Sequence, residues 1–371
     1  YMTYRDAYRI LGWDPAEIYR DGAIALDREE WADLGWMANH MGPSPAALDA
    51  MRRAVDAEHV GPYSPDLDAG LRDLMAEALL GRPRDEGFEV IGTEGAQAGV
   101  GYAALACLDP GDRVVVTDPG YFHFVPALRL AGAEPDWVRL GPGNGWRLDP
   151  EEVEAALTPR TRMVVVCDPV NPFGTVQRRD ELEALLRIAE RHRLVVLADT
   201  THSAHRVDPT ARHHPLAAVA ADRPGAPFLV ASGLAHGYGM AGARIGALGG
   251  PPDLVRACLQ VKIAAVRLNT NRLAQVGAAA ALRDAEELTV ALCARRVAVY
   301  PGDGLGEVGA TTTIRVNLSD PDPRAVERFA AAFPEAAAEA ATGVYREGVR
   351  EFFRSTGTER GRRLAALVER G

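Results

Sequence analysis

Between positions 87 and 250 the chain alternates short apolar runs with amphipathic stretches. The runs cover 88–92, 113–117, 134–140, 163–168, 194–199, 228–232 and 245–249. They are Val-rich and nearly continuous in apolarity, the pattern of strands buried on both faces. The stretches between them carry helical spacing. Over 179–193, Leu182, Leu185, Leu186 and Ile188 share one face, with charges opposite. Strand alternating with helix predicts an α/β domain built on a mostly parallel sheet. Ligands of such sheets bind beyond the carboxyl ends of the strands, so the residues just after each run are the first candidates for chemistry.

Outside this span, Gly42-Pro43-Ser44-Pro45 opens a predicted helix that runs to Ala57, with proline suited to the first turn. After Gly250 the pattern predicts helices over 253–264, 271–283 and 285–296, then a short β-like stretch over 311–318 behind the Pro301-Gly302-Asp303-Gly304 turn. The end of the chain, 323–371, reads as helical, with its charges on helix surfaces. There is no internal repeat.

With 371 residues and 47% hydrophobic side chains, the chain has length for two or three domains and a sizeable core. A net charge of -10 argues against a nucleic-acid partner. No apolar run approaches the roughly 20 residues of a membrane span, and the start lacks the pattern of a signal peptide; a cytoplasmic protein without membrane partner is expected. Cys107, Cys167, Cys258 and Cys293 are widely spaced with no CxxC pair, which reads as free buried thiols. His213-His214 falls in a polar loop and is expected to be solvated. Lysine occurs once, at Lys262. Arginine stays protonated, so amine chemistry must use Lys262 or do without it.

Several strand ends carry candidate chemistry. Thr93-Glu94-Gly95-Ala96-Gln97 leads into an apolar helix, and such a turn offers free N–H groups and a positive dipole end to a phosphate. Asp118-Pro119-Gly120-Tyr121 puts an aromatic at the same edge, and Asp168-Pro169-Val170-Asn171-Pro172-Phe173-Gly174 follows the fourth run. Asp199 closes an apolar run and needs a cationic or N–H partner, unless it merely caps a helix. The sixth run leads into a glycine-rich segment around one arginine, Arg244, which implies close backbone approach.

In this order the motifs resemble those of fold-type I pyridoxal-phosphate (PLP) enzymes of the class I/II aminotransferase family, and are most similar to its histidinol-phosphate aminotransferase branch. Asn39 with Gly42-Pro43-Ser44-Pro45 resembles the N-E-N-P-x-G-P-S-P opening, and Tyr63 with Leu71-Arg72 the Y…LR segment, whose tyrosine reaches the neighbouring subunit's phosphate. Gly95, Ala96 and Gln97 resemble the phosphate cup, and Tyr121 the aromatic stacked on the pyridine ring. Asn171 matches the asparagine on the ring hydroxyl, and Asp199 the aspartate that keeps the pyridine nitrogen protonated. Gly242, Arg244 and Gly246 are similar to G-x-R-x-G, whose arginine binds phosphate; 269–275 is similar to a stretch near the dimer interface; Arg315 matches the arginine that pairs with the substrate carboxylate. The resemblance implies a three-layer α/β sandwich around a mostly parallel seven-stranded sheet, an aspartate aminotransferase-like large domain over 46–250. It also implies an N-terminal arm over 1–45, a truncated small domain with a helical tail over 251–371, and a homodimer.

The sequence also departs from the pattern. Counting back eight residues from Arg244, where the family has its Schiff-base lysine, gives His236, and the family's tyrosine three residues after the ring aspartate is His202. The small-domain sheet is abbreviated between Arg296 and Pro301. Imidazole forms no stable Schiff base but titrates near working pH and can move protons. Ordinary transamination is therefore expected to be severely impaired or absent. Three readings stay open. In the first, the protein is an enzyme that binds PLP or its aminated form, PMP, non-covalently. His236 and His202 are then catalytic, Arg315 and Asn39 bind an amino-acid-like substrate, and no metal takes part. In the second, the pocket holds another cofactor, such as a metal at Asp199, His202 and His236. In the third, the chain is a non-catalytic scaffold.

Overall fold

The computed structural model describes residues 42–121, 123–204 and 212–283, with 57 and 59 as backbone only, and the backbone of 297–301 and 314–317. The contacts divide the chain into two units. The larger begins with α1 (Pro45–Arg53), whose Ser44 cap accepts from the Ala47 N–H at 3.2 Å. The predicted helix to Ala57 breaks at Ala54, where the N–H bonds both the Ala50 and Met51 carbonyls and tightens the last turn. Next come α2 (Ala57–Val60), α3 (Ala69–Leu74), β1 (Glu89–Thr93), α4 (Ala96–Cys107), β2 (Arg113–Asp118), α5 (Phe124–Leu130) and β3 (Glu134–Arg139). The unit continues through α6 (Pro150–Ala156), β4 (Thr161–Cys167), α7 (Arg179–His192), β5 (Val195–Asp199) and α8 (Leu216–Ala220). It closes with β6 (Phe228–Gly233), β7 (Gly246–Gly250), α9 (Pro252–Val266) and α10 (Arg272–Arg283).

All seven predicted runs are strands, with ends shifted by two residues at most, and they form one seven-stranded sheet in the order β1-β7-β6-β5-β4-β2-β3. Only β7 runs antiparallel, against both β1 and β6. Strand side chains alternate between faces. Val164 and Val166 therefore pack with Leu182, Leu185 and Leu186 of α7, whereas Met163, Val165 and Cys167 pack with Val100 of α4, Leu128 of α5 and Val255 of α9. Both faces are covered, which gives three layers. Each such fully enclosed apolar side chain contributes roughly 1.5–3 kcal/mol of burial, which explains why the strands lack a polar face. At the start of α7, the Glu181 carboxylate accepts the Arg178 N–H at 2.8 Å.

The smaller unit contains the antiparallel pair β8 (Val297–Pro301) and β9 (Ile314–Asn317). The stretch expected at 311–318 holds β9; β8 was not anticipated. The helices expected over 285–296 and 323–371, and the residue Asn39, lie outside the described residues.

Candidate active site

Gly95, Ala96 and Gln97, expected to form a phosphate cup, sit where β1 turns into α4. Gly95, at φ +86°, is the residue before the helix, and Ala96 and Gln97 are its first turn. That backbone region favours glycine. A Cβ there would also lie 2.7 Å from the Arg244 guanidinium. Gly246 is hemmed in as well: a Cβ there would lie 2.4 Å from the Ser232 carbonyl oxygen and 3.1 Å from the Ala96 nitrogen. Arg244 donates to the Ala241 and Glu94 carbonyls at 3.0 and 3.1 Å, which fixes its planar fork over the helix N-terminus. An exposed arginine beside free helix N–H groups is a site for an anion. The Gln97 side chain donates to the His123 carbonyl at 3.0 Å.

Asp199 closes β5 next to Cys167 of β4. Its carboxylate accepts from the Thr201 N–H and hydroxyl at 2.9 and 2.5 Å, and among the described residues no cation pairs with it. Burial pushes this carboxyl above the usual range, against the pull of the Thr201 bonds. Asn171 is buried in the turn after β4, where the Val170 N–H bonds the Thr175 carbonyl at 2.7 Å. Tyr121, after β2, packs edge-on against Phe124 with ring centres 5.1 Å apart. His202 and His236 meet: the rings stack 4.9 Å apart, 21° from parallel. The two positions at which the sequence leaves the family pattern are therefore neighbours in space.

Other positions were read differently from the sequence, or not at all. His213 is not solvated: its side chain is 9% exposed, and its Nε2 lies 3.3 Å from an Asp168 oxygen without an aligned hydrogen bond. Among the described residues no three His, Cys, Asp or Glu side chains converge to hold a metal ion, so the metal reading of Asp199, His202 and His236 loses its geometry. Sequence reasoning assigned no role to Thr93 and Ser232, at the ends of β1 and β6, whose buried hydroxyls lack hydrogen-bond partners among the described residues; the signal was a hydroxyl closing an apolar run. Tyr63 is 78% exposed, with the Arg267 guanidinium 5.1 Å from its ring centre. Arg315 lies on β9, in the smaller unit.

Lys262 is fully enclosed in α9. Its Nζ donates to Asp66 Oδ1 at 2.6 Å, the Thr270 hydroxyl at 2.8 Å and the Gly92 carbonyl at 2.9 Å. The Gly92 N–H bonds the Asp66 carboxylate at 3.1 Å. Because β1 is an edge strand, these side chains supply the partners that a further strand would otherwise give. All three ammonium protons are engaged.

Residues 31–299 match the family model described as aminotransferase class I and II. The chain belongs to that family. Among curated relatives, the aspartate aminotransferase of Streptomyces avermitilis is 34% identical over 201 residues, 52% of this chain and 48% of the relative. The histidinol-phosphate aminotransferase of Moorella thermoacetica is 34% identical over 254 residues, 66% and 60% of the two chains. Among solved structures, N-succinyldiaminopimelate aminotransferase from Mycobacterium tuberculosis superposes with a TM-score of 0.65 at 30% identity, covering 71% of this chain and 69% of that one. The chain thus spans about half to three-fifths of the length of these curated relatives. Among the described residues, no helix is long and apolar enough to cross a membrane.

Proposed function

We propose that this chain is an enzyme acting on an amino-acid-like substrate that holds PLP or PMP non-covalently, with His236 in place of the family's Schiff-base lysine. The carrying observation is Asp199: a buried carboxylate with no cation beside it among the described residues, at the same strand ends as an arginine-lined helix N-terminus. That pairing fits a molecule with a cationic ring nitrogen and a phosphate. The unpartnered hydroxyls of Thr93 and Ser232 add polar groups near the anion end. When bound, the cofactor would supply an electron sink for charge at the substrate's α-carbon.

The chain's own residues supply the rest. Arg244 and the N–H groups of Ala96 and Gln97 would bind the phosphate, Tyr121 would cover one face of the ring, Asn171 would bond its hydroxyl, and Asp199 would hold its nitrogen protonated. His236 would take and return a proton at the α-carbon. His202, stacked on it with ring centres 4.9 Å apart, would fix the ring plane. Arg315 and Asn39 would bind the substrate. In a homodimer Tyr63 would reach the partner's phosphate. The large domain would span 46–250 and the abbreviated small domain 251–371, leaving the substrate side open to a bulky or carrier-bound group.

Borohydride trapping after PLP titration tests this reading. The unsubstituted chain should bind PLP yet retain none after reduction and denaturation, whereas His236→Lys should retain it covalently at position 236. Absence of PLP affinity, or trapping on Lys262, would overturn the proposal.

A further inference from the structure

A single residue holds the Asp199 carboxylate. The Thr201 N–H, at 2.9 Å, and the Thr201 hydroxyl, at 2.5 Å, both donate to Oδ1. Oδ2 has no hydrogen-bond partner among the described residues. Two donors on one oxygen fix the rotation of the carboxylate and settle which oxygen is left over. The turn that carries these donors is itself tied down. The Thr200 N–H donates to the Ala231 carbonyl of β6 at 2.9 Å, and the Ser203 N–H to the Thr200 carbonyl at 2.9 Å.

The other groups around Asp199 are engaged elsewhere. Its register partners are Cys167 of β4, whose thiol donates to the Pro169 carbonyl at 3.4 Å, and Ala231 of β6. Asp168, just past β4, gives its N–H to the Asp199 carbonyl at 2.9 Å. Its own carboxylate accepts the Gln177 N–H at 3.0 Å and lies beside His213. On α4, which covers this face of the sheet, Tyr102 donates to the Glu94 carboxylate at 2.5 Å. Burial thus favours the neutral acid at Asp199, and among the described residues the Thr201 donors favour the anion.

We propose that Thr201 is a positioning residue for Asp199, whose two donors reserve Oδ2 for a ligand and keep the proton shared across that contact on the ligand's ring nitrogen. The ligand rests on the PLP reading above; the hold on Asp199 does not. A carboxyl and a pyridine nitrogen share one proton, and whichever side is better stabilised as an ion decides where it stays. Charge-assisted bonds to Oδ1 stabilise the carboxylate, so the proton rests on nitrogen and the ring stays cationic. Without the hydroxyl, the proton moves toward Oδ2.

Two substitutions test this. Thr201→Val removes the hydroxyl and keeps the backbone donor, and Thr201→Ser restores the hydroxyl. In the cofactor-free chain, urea unfolding against pH reads Asp199 directly, because a carboxyl raised by burial makes stability fall as pH rises toward its folded titration point. Thr201→Val should carry the upper end of that fall about one pH unit higher, and Thr201→Ser should return it. With an isotope-labelled ring nitrogen, NMR of bound PLP should show a protonated nitrogen in the unsubstituted chain and in Thr201→Ser, and a shift toward the neutral form in Thr201→Val. PLP affinity in Thr201→Val should fall about 10-fold, while affinity for the analogue with C–H in place of the ring nitrogen changes by less than about two-fold. The proposal is overturned if the pH range of the fall does not move in Thr201→Val, if both ligands weaken equally, or if Thr201→Ser behaves as Thr201→Val. If the unsubstituted chain binds no PLP, the PLP reading fails by itself, and the cofactor-free titration still decides for or against the hold of Thr201 on Asp199.

Discussion

Enclosing a carboxylate without a cation destabilises a fold, and Asp199 is enclosed at 7% exposure. Its pKa in the folded chain is raised above the ordinary 3.8 by burial. Between these two values the native state holds a proton that the unfolded chain has released, so stability falls as pH rises through that window. Asp199→Asn removes the slope. At pH 7 the cofactor-free variant should unfold at higher urea than the unsubstituted chain, while its affinity for PLP falls by at least about 10-fold through loss of the charged partner. Urea midpoints at pH 4 and 7 and a PLP titration check both halves, and equal slopes in the two proteins would reject the account. Lys262 gives the opposite case. Removing it leaves Asp66 and the Gly92 carbonyl without the ammonium they share. Lys262→Met should therefore cost on the order of 3–5 kcal/mol in urea unfolding, yet the protein that remains folded should still bind PLP. Loss of binding with unchanged stability would make Lys262 a site residue instead of a strap on the edge strand.

Among the elements, α4 connects fold to chemistry, because its first turn is the proposed anion cup and its body lies against the sheet. Gly95→Ala tests that role. Its φ of +86° strains any side chain, and the added methyl would displace the Arg244 fork 2.7 Å away. PLP affinity should fall about 10-fold or more, with a stability loss of roughly 1–2 kcal/mol; unchanged affinity in a binding titration would put the phosphate elsewhere. The strands were legible in the sequence because burial on both faces removes their polar positions, as in the Val164–Val166 stretch of β4. The short helices α5, α6 and α8, of five to seven residues, were not, because they complete too few turns to show a period. At the site, residue types and their order placed Asp199, Gly95 and Arg244 at the right strand ends. The His202–His236 stack and the His213–Asp168 contact were hidden, since each joins loops whose approach depends on the packed sheet beneath them.

For the molecule as a whole, the surface near Tyr63 bears on assembly. Val55 and Val60 are 66% and 58% exposed, and across from them Ile263, Val266 and Leu268 stand out at the end of α9. The two stretches are joined by the Arg267–Tyr63 contact and by the Ser64 hydroxyl, which donates to the Thr270 carbonyl at 2.5 Å. The two exposed stretches thus approach each other at Tyr63, the tyrosine expected to serve a neighbouring subunit. Apolar side chains gathered in this way mark an association surface, and a net charge of -10 makes close approach of two copies unfavourable unless the contact itself is apolar. The proposed homodimer should therefore use this face. Val266→Glu would set a carboxylate against its counterpart's surface, and sedimentation equilibrium should show dimer dissociation strengthened by about 100-fold. PLP affinity should fall in the same variant although position 266 touches no cup residue, because separation would withdraw Tyr63 from the partner's phosphate. A variant that becomes monomeric with full PLP affinity would keep the interface but remove Tyr63 from the site, and one that stays dimeric would move the interface elsewhere.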